Sequence, residues 1–145
     1  MPNWCDNHLI IKGPDMDVLA FKQKAVGHAP WHEPKPEPNV LNFHNLVPIP
    51  GEVLKADYSS AGYDWELKHW GCKWGACHTD IVDEGEGYLG YRFDTAWSPP
   101  IAFVEHVSKE WPTLIFVLEY EESGIGFKGL ARAQAGAIDD RCIDF

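Results

Sequence analysis

The stretch Cys72-Lys-Trp-Gly-Ala-Cys77-His78 holds the densest group of metal-ligating side chains in the sequence. Zinc takes thiolates and imidazoles in a tetrahedron, so Cys72, Cys77 and His78 with a fourth ligand such as His69 would make a site. No second Cys-x-x-Cys pair accompanies them. Covalent haem attachment wants Cys-x-x-Cys-His, and the spacing here is two residues longer. We therefore read the two thiols as small packed apolar groups and expect no metal and no cofactor. Gly124-Ile-Gly126-Phe-Lys-Gly129 matches the dinucleotide string Gly-x-Gly-x-x-Gly. That string works when it opens a helix in a βαβ unit and an acid follows about 20 residues on. Here it lies between two strand patterns near the end of the chain, so the glycines are read as a hairpin turn or bulge.

Trp65, Trp70, Trp74, Trp97 and Trp111 are numerous enough to form a stacking platform for bases. The alternative is core packing, which the acidic composition favours. Asp80, Asp83, Glu84, Glu86 and Asp94 supply carboxylates, but no calcium-loop pattern joins them. Asp94 stands out because it sits just before Ser98, where a carboxylate can bond loop or helix-end amides. No Gly-x-Ser-x-Gly elbow and no P-loop occur, so no catalytic residue is assigned and a non-enzymatic protein is expected.

These residues need elements to position them. Asn3–Lys12 reads as a strand buried on both sides, because Leu9, Ile10 and Ile11 are apolar in succession. Gly13-Pro14 breaks it. A short helix follows, capped by Asp15 or Asp17. Residues 28–39 form a proline-rich loop carrying Trp31. Val40–Val47 is expected to be briefly extended. A helical insert over 52–75 includes a helix at Tyr63–Trp70, with Tyr63, Leu67 and Trp70 on one side and Glu66 elsewhere. Two strands around the turn at Asp83–Gly87 should pair as an antiparallel hairpin. Ser98 as N-cap and Pro99 at the first position should open a helix whose face is Ile101, Phe103, Val104, Val107 and Trp111, with Trp97 buried beside it. Thr113–Glu121 alternates strictly: Leu114, Phe116, Leu118 and Tyr120 on one side, Ile115 and Val117 on the other. A last strand follows, and the tail to Phe145 is expected to add an edge or wrap the body. The order approximates βαββαβ: an α+β fold, a single ferredoxin-like antiparallel sheet over residues 1–145, with helices on one face and an elaborated middle insertion.

Composition bounds the function. Lys and Arg total 12 against 22 Asp and Glu, a formal charge of −10. That sign repels phosphate backbones and makes nucleic-acid binding unlikely as the main activity. No apolar run of about 18 residues predicts a membrane span. The N-terminus lacks a basic region followed by an apolar one, so a cytoplasmic location is expected. The four cysteines are then free thiols.

Several pieces recur together: Met1-Pro-Asn-Trp-Cys-Asp-Asn7, Asn42-Phe43 running to Val47-Pro-Ile-Pro50, Trp70-Gly-Cys-Lys-Trp-Gly75, Phe93-Asp-Thr-Ala-Trp-Ser-Pro-Pro100, and Glu119-Tyr120 leading to Gly124-Ile-Gly-Phe127. With these the chain resembles the YubB-like, Api-like ferredoxin-domain proteins of plasmids and bacteriophages. The resemblance implies a ferredoxin-like domain and a gene on a mobile element, and it implies no catalytic residues. The expected function is a non-enzymatic interaction protein in a bacterial host cell, engaging a host factor or a defence system, and the charge suits a partner protein with a basic surface. The acidic stretches Asp83–Glu86 and Glu119–Glu122 would mimic phosphates, and the binding residues would come from Trp31, Trp70, Lys73, Trp74, Asp94 and Trp97. The alternative is a nucleic-acid-binding module using an aromatic sheet face.

Overall fold

The structure, a computed structural model, describes residues 2–30 and 37–145. These form one six-stranded antiparallel sheet. Its strands are β1 (Trp4–Lys12), β2 (Lys73–Gly85), β3 (Tyr88–Ala96), β4 (Ile115–Glu122), β5 (Phe127–Gln134) and β6 (Ala137–Asp144). They lie in the order β2-β3-β1-β4-β5-β6. The first four reproduce the ferredoxin-like arrangement, and the β5–β6 hairpin extends the sheet past β4. The helices are α1 (Asp15–Lys24), α2 (Phe43–Leu46), α3 (Gly51–Lys55), α4 (Tyr63–His69) and α5 (Ile101–Glu110), with a π-helical turn at Tyr58–Gly62.

Alternation along the strands sorts the sheet into two faces. Leu9 and Ile11 of β1, Tyr91 and Phe93 of β3, and Phe116 and Leu118 of β4 are buried in the core with Val18 and Phe21 of α1 and Phe103, Val104 and Val107 of α5. Phe21 meets Phe116 edge-on, ring centroids 5.6 Å apart. Among the described residues no helix covers the other face in this part of the sheet. Asp6, His8, Arg92, Glu119, Glu121 and Lys128 line a broad open hollow there. β1 is therefore not buried on both sides: Ile10 is only half-buried, between two fully buried neighbours.

Four local expectations need correction. Val40–Val47 is not extended, because Asn42 caps α2 with its Oδ1, accepting from the amides of His44 at 2.8 Å and Asn45 at 3.4 Å. Pro14, not an aspartate, precedes α1. Asp15 instead accepts from the Gly87 amide and Asp17 from the Thr113 hydroxyl. Ser98 does not cap α5, which starts at Ile101 after Pro100. Its hydroxyl donates to the Gly71 carbonyl at 2.6 Å, and the Phe103 amide of the first turn finds the Trp70 carbonyl at 3.2 Å. The orphan donor at the helix start is thus served by the 70–71 loop. Trp97 is 43% exposed, so it is not a core residue.

A polar chain ties these parts together. Asn7, fully buried, donates to the Cys5 carbonyl and to Thr95 Oγ1. Thr95 donates to the Ser98 carbonyl at 2.6 Å, and Ser98 to Gly71. We expect Ser98→Ala to cost about 1 kcal/mol by removing one net hydrogen bond. A urea melt checks this, and a loss of several kcal/mol would mean that the tether carries more than one bond.

Candidate functional site

The insert between α1 and β2 makes a cleft against the β2 edge of the sheet. Gly27 and Asn39 exchange two backbone bonds, 3.0 and 2.8 Å, so the chain leaves and re-enters at one point. From there Leu41, Asn42 and Phe43 form one wall, Tyr58 and Glu66 another, and Trp70 with Trp74, Gly75 and Ala76 a third. The space between them is about 280 Å³. Phe43 stacks on Phe103 with centroids 3.8 Å apart and meets Trp70 edge-on at 5.6 Å. Trp70 is 2% exposed, and its Nε1 donates to the Val47 carbonyl at 3.1 Å. The floor is therefore rigid and aromatic.

Glu66 is the chemical centre of this cleft. The helical pattern placed Tyr63, Leu67 and Trp70 inward and Glu66 elsewhere, but Tyr63 and Leu67 are each 40% exposed and Glu66 is 2% exposed. The reason is specific bonding. Glu66 Oε1 accepts from the Tyr58 hydroxyl at 2.7 Å and from the Trp74 amide at 2.8 Å. Burial pushes its carboxyl above the ordinary value, against the lowering effect of those two donors. The same burial and the same neighbour raise the Tyr58 phenol. Asn42 adds a buried side-chain NH2 with no hydrogen-bond partner among the described residues. A buried acid and a Tyr eight residues before it are not a motif, so neither was legible in the sequence. The raised carboxyl and the unusual backbone of Trp74, φ 71°, mark the place in the structure.

Trp74 links the cleft to the open sheet face. Its ring lies 6.4 Å from Trp4, and Lys73 Nζ sits 4.1 Å from its centroid. Trp4 in turn meets His78 edge-on at 5.0 Å, and His78 Nδ1 is 2.8 Å from Asp94 Oδ2. Asp94 thus pairs with His78 and not with helix-end amides.

The structure brings Trp70 and Trp74 together in the cleft lining, with Lys73 over the Trp74 ring, and sets Asp94 beside His78 on the open face. Trp97 stays on the loop between β3 and α5, and Trp31 lies outside the described residues. The five tryptophans form no common platform: Trp65 packs on His69 and Trp70, and Trp111 on Phe21. Cys72 is fully buried and its thiol is pushed well up, by burial first. Cys77 is half-buried on β2. Among the described residues no three His, Cys, Asp or Glu side chains are gathered to hold a metal. Glu122 cannot mimic a phosphate, because it is fully buried and accepts from the turn amides of Gly124 and Ile125. Asp83 accepts from the Tyr88 hydroxyl, and Glu84 pairs with Lys22 at 2.6 Å. Gly126, φ 99°, sits in the β4–β5 turn, and Gly129 lies against the Tyr120 hydroxyl, where a Cβ would collide.

The family model for the ferredoxin-like domain in Api92-like protein matches residues 70–144. The chain belongs to that family. The matched part of this Api92-like chain spans β2 to β6 and α5, and it includes the Trp70–Ala76 wall of the cleft. The other lining residues, Ala29, Asn39, Leu41, Tyr58 and Glu66 among them, precede it. The crystal structure of protein api92 from Yersinia pseudotuberculosis is similar in fold, with a TM-score of 0.76, covering 100% of this chain and 98% of that one at 11% identity. No curated protein matches the chain. No helix of the described residues is long and apolar enough to cross a membrane.

Proposed function

We propose that this Api92-like chain is a non-enzymatic binding protein that engages a partner protein by taking one of its basic side chains, lysine or arginine, into the cleft. The observation that carries this reading is Glu66, a buried carboxyl inside walls of Phe43, Tyr58, Trp70 and Trp74. Aromatic faces attract cations, most strongly when water is excluded. At about 280 Å³ the space falls just below the range of small-molecule pockets, about 300–1,000 Å³. That suits one side chain better than a cofactor. The −10 charge steers basic surfaces toward it. The resemblance to plasmid and phage proteins makes a host protein in the bacterial cytoplasm the partner class.

An entering cation favours the ionised form of Glu66, so binding releases a proton and tightens as pH rises through the raised carboxyl value. Titration with acetyl-arginine amide and acetyl-lysine amide, followed by tryptophan fluorescence, is the test. We expect saturation by both, none by the neutral acetyl-citrulline amide, and loss of binding in Glu66→Gln. Equal response to citrulline would remove the cation reading.

A second reading, nucleic-acid binding, is favoured by one feature: Trp4, Trp74 and His78 cluster at one end of the open sheet face. Asp6, Glu119 and Glu121 on that face oppose it. Gel shifts at low salt should be negative with single- and double-stranded nucleic acid. Tight, salt-sensitive shifts would put this reading first.

A further inference from the structure

The two edges of the sheet are built differently. The β2 edge carries three register shifts against β3, the left-handed residues Trp74 and His78, and the acids Asp80, Asp83 and Glu84. Bulges of this kind block the addition of another strand; the acids alone do not set the edges apart, since β6 carries Asp139, Asp140 and Asp144. β6 has none of the bulges. It pairs with β5 through eight consecutive residues without a shift, and it contains neither proline nor lysine. Among the described residues no strand pairs with its outer side. Exposed apolar side chains lie along this end of the sheet: Leu130, Ile143 at 59% and Phe145 at 64%.

We propose that two copies of the chain join through β6, antiparallel about a two-fold axis at Asp140, to make one continuous sheet. The strand is self-complementary in that register. Side chains keep their face across a two-fold axis normal to the sheet, so like-parity positions pair. Centring on Asp140 sets Asp139 of each copy opposite Arg141 of the other, twice. Centring on Arg141 would oppose two guanidiniums, and centring on Asp139 two carboxylates. Within one copy Arg141 Nη2 already reaches Asp139 Oδ2 at 3.4 Å, with both side chains exposed, 82% and 69%. The pair can therefore exchange partners without disturbing the core. Asp140 meets its own copy, but its Oδ1 accepts from the Tyr120 hydroxyl at 2.7 Å, which holds the carboxylate over the body of the sheet. Ile138 then faces Cys142 of the second copy.

The arrangement closes on itself, since the guarded β2 edges stay outermost. It also sets the two clefts at opposite ends of twelve strands, about 50 Å apart at a spacing of about 4.8 Å per strand. Such a dimer presents two binding sites to one partner array and gains avidity from that. This consequence rests on the cleft reading, whereas the dimer itself does not.

The test is the mass of the full chain by light scattering and sedimentation across a concentration series, with reductant present to exclude a Cys142 disulfide. Near-physiological salt is needed, because the −10 charge of each copy opposes union when unscreened. Wild type should move from 16.4 kDa to twice that mass with concentration. Arg141→Asp or Asp139→Arg alone should weaken the dimer at least tenfold. The double variant Asp139→Arg, Arg141→Asp should restore it, because the pairs re-form with signs exchanged. Circular dichroism melts confirm that each variant folds. A wild type that stays monomeric at every concentration overturns the proposal and leaves the edge to an extended segment of another protein. A dimer insensitive to the single changes, or a double variant as weak as either single one, overturns it equally.

Discussion

Phe43→Ala should destabilise the protein by about 3–5 kcal/mol, the usual cost of deleting a buried aromatic ring. The ring is 2% exposed and sits at the meeting point of three others. It stacks on Phe103 of α5 at 3.8 Å and meets Trp70 and Phe93 edge-on at 5.6 and 6.0 Å. Its removal costs transfer energy, the ring–ring terms and the void left between elements that cannot collapse together. Because Phe43 belongs to a four-residue helix held by the Asn42 cap, little local structure remains to compensate. The void opens into the cleft, so binding of a basic side chain should fall with stability. Urea unfolding measures the change. A loss below about 1 kcal/mol, outside the range for buried aromatics, would mean that the insert is not anchored through this ring.

The second large effect is at Glu66. Its carboxyl is raised above the ordinary value of 4.5 by burial. Below that value both the folded and the unfolded chain hold the proton, and the stability contribution is whole. As pH rises past it the unfolded chain ionises first, so stability falls until the folded carboxyl ionises too, and then levels off. Glu66→Gln keeps an acceptor oxygen for Tyr58 and Trp74 but cannot ionise. Its melting temperature should therefore show a shallower fall from pH 4.5 upward than wild type. Glu66→Ala is the harsher change, since it strands the Trp74 amide at a cost of about 1–3 kcal/mol in addition to lost packing. Thermal melts of the three proteins across pH decide the matter. Parallel curves for wild type and Glu66→Gln would show that Glu66 is not the group whose ionisation opposes folding.

The sequence by itself determined the framework. Alternation in Thr113–Glu121 and Tyr88–Thr95, the apolar face of α5, and the breakers at Gly13-Pro14 and Gly87 specify strands, helix and turns, because periodicity and backbone sterics act locally. It also showed that Trp70 and Trp74 belong to one region, since only three residues separate them. Tertiary structure alone decided which groups became chemical neighbours. Glu66 looked solvent-facing on a helical pattern, yet donors from Tyr58 and Trp74 make its burial tolerable, and only the folded insert brings all three together. Ser98 looked like a cap because its type and its place before two prolines fit one. The Trp70–Gly71 loop packs against the helix start and supplies the carbonyls that the Ser98 hydroxyl and the Phe103 amide use. Trp97 looked buried because its neighbours are, but its positive φ turns the chain outward at the end of β3. In each case the residue type was readable, and its partner lay in another element that no local pattern records.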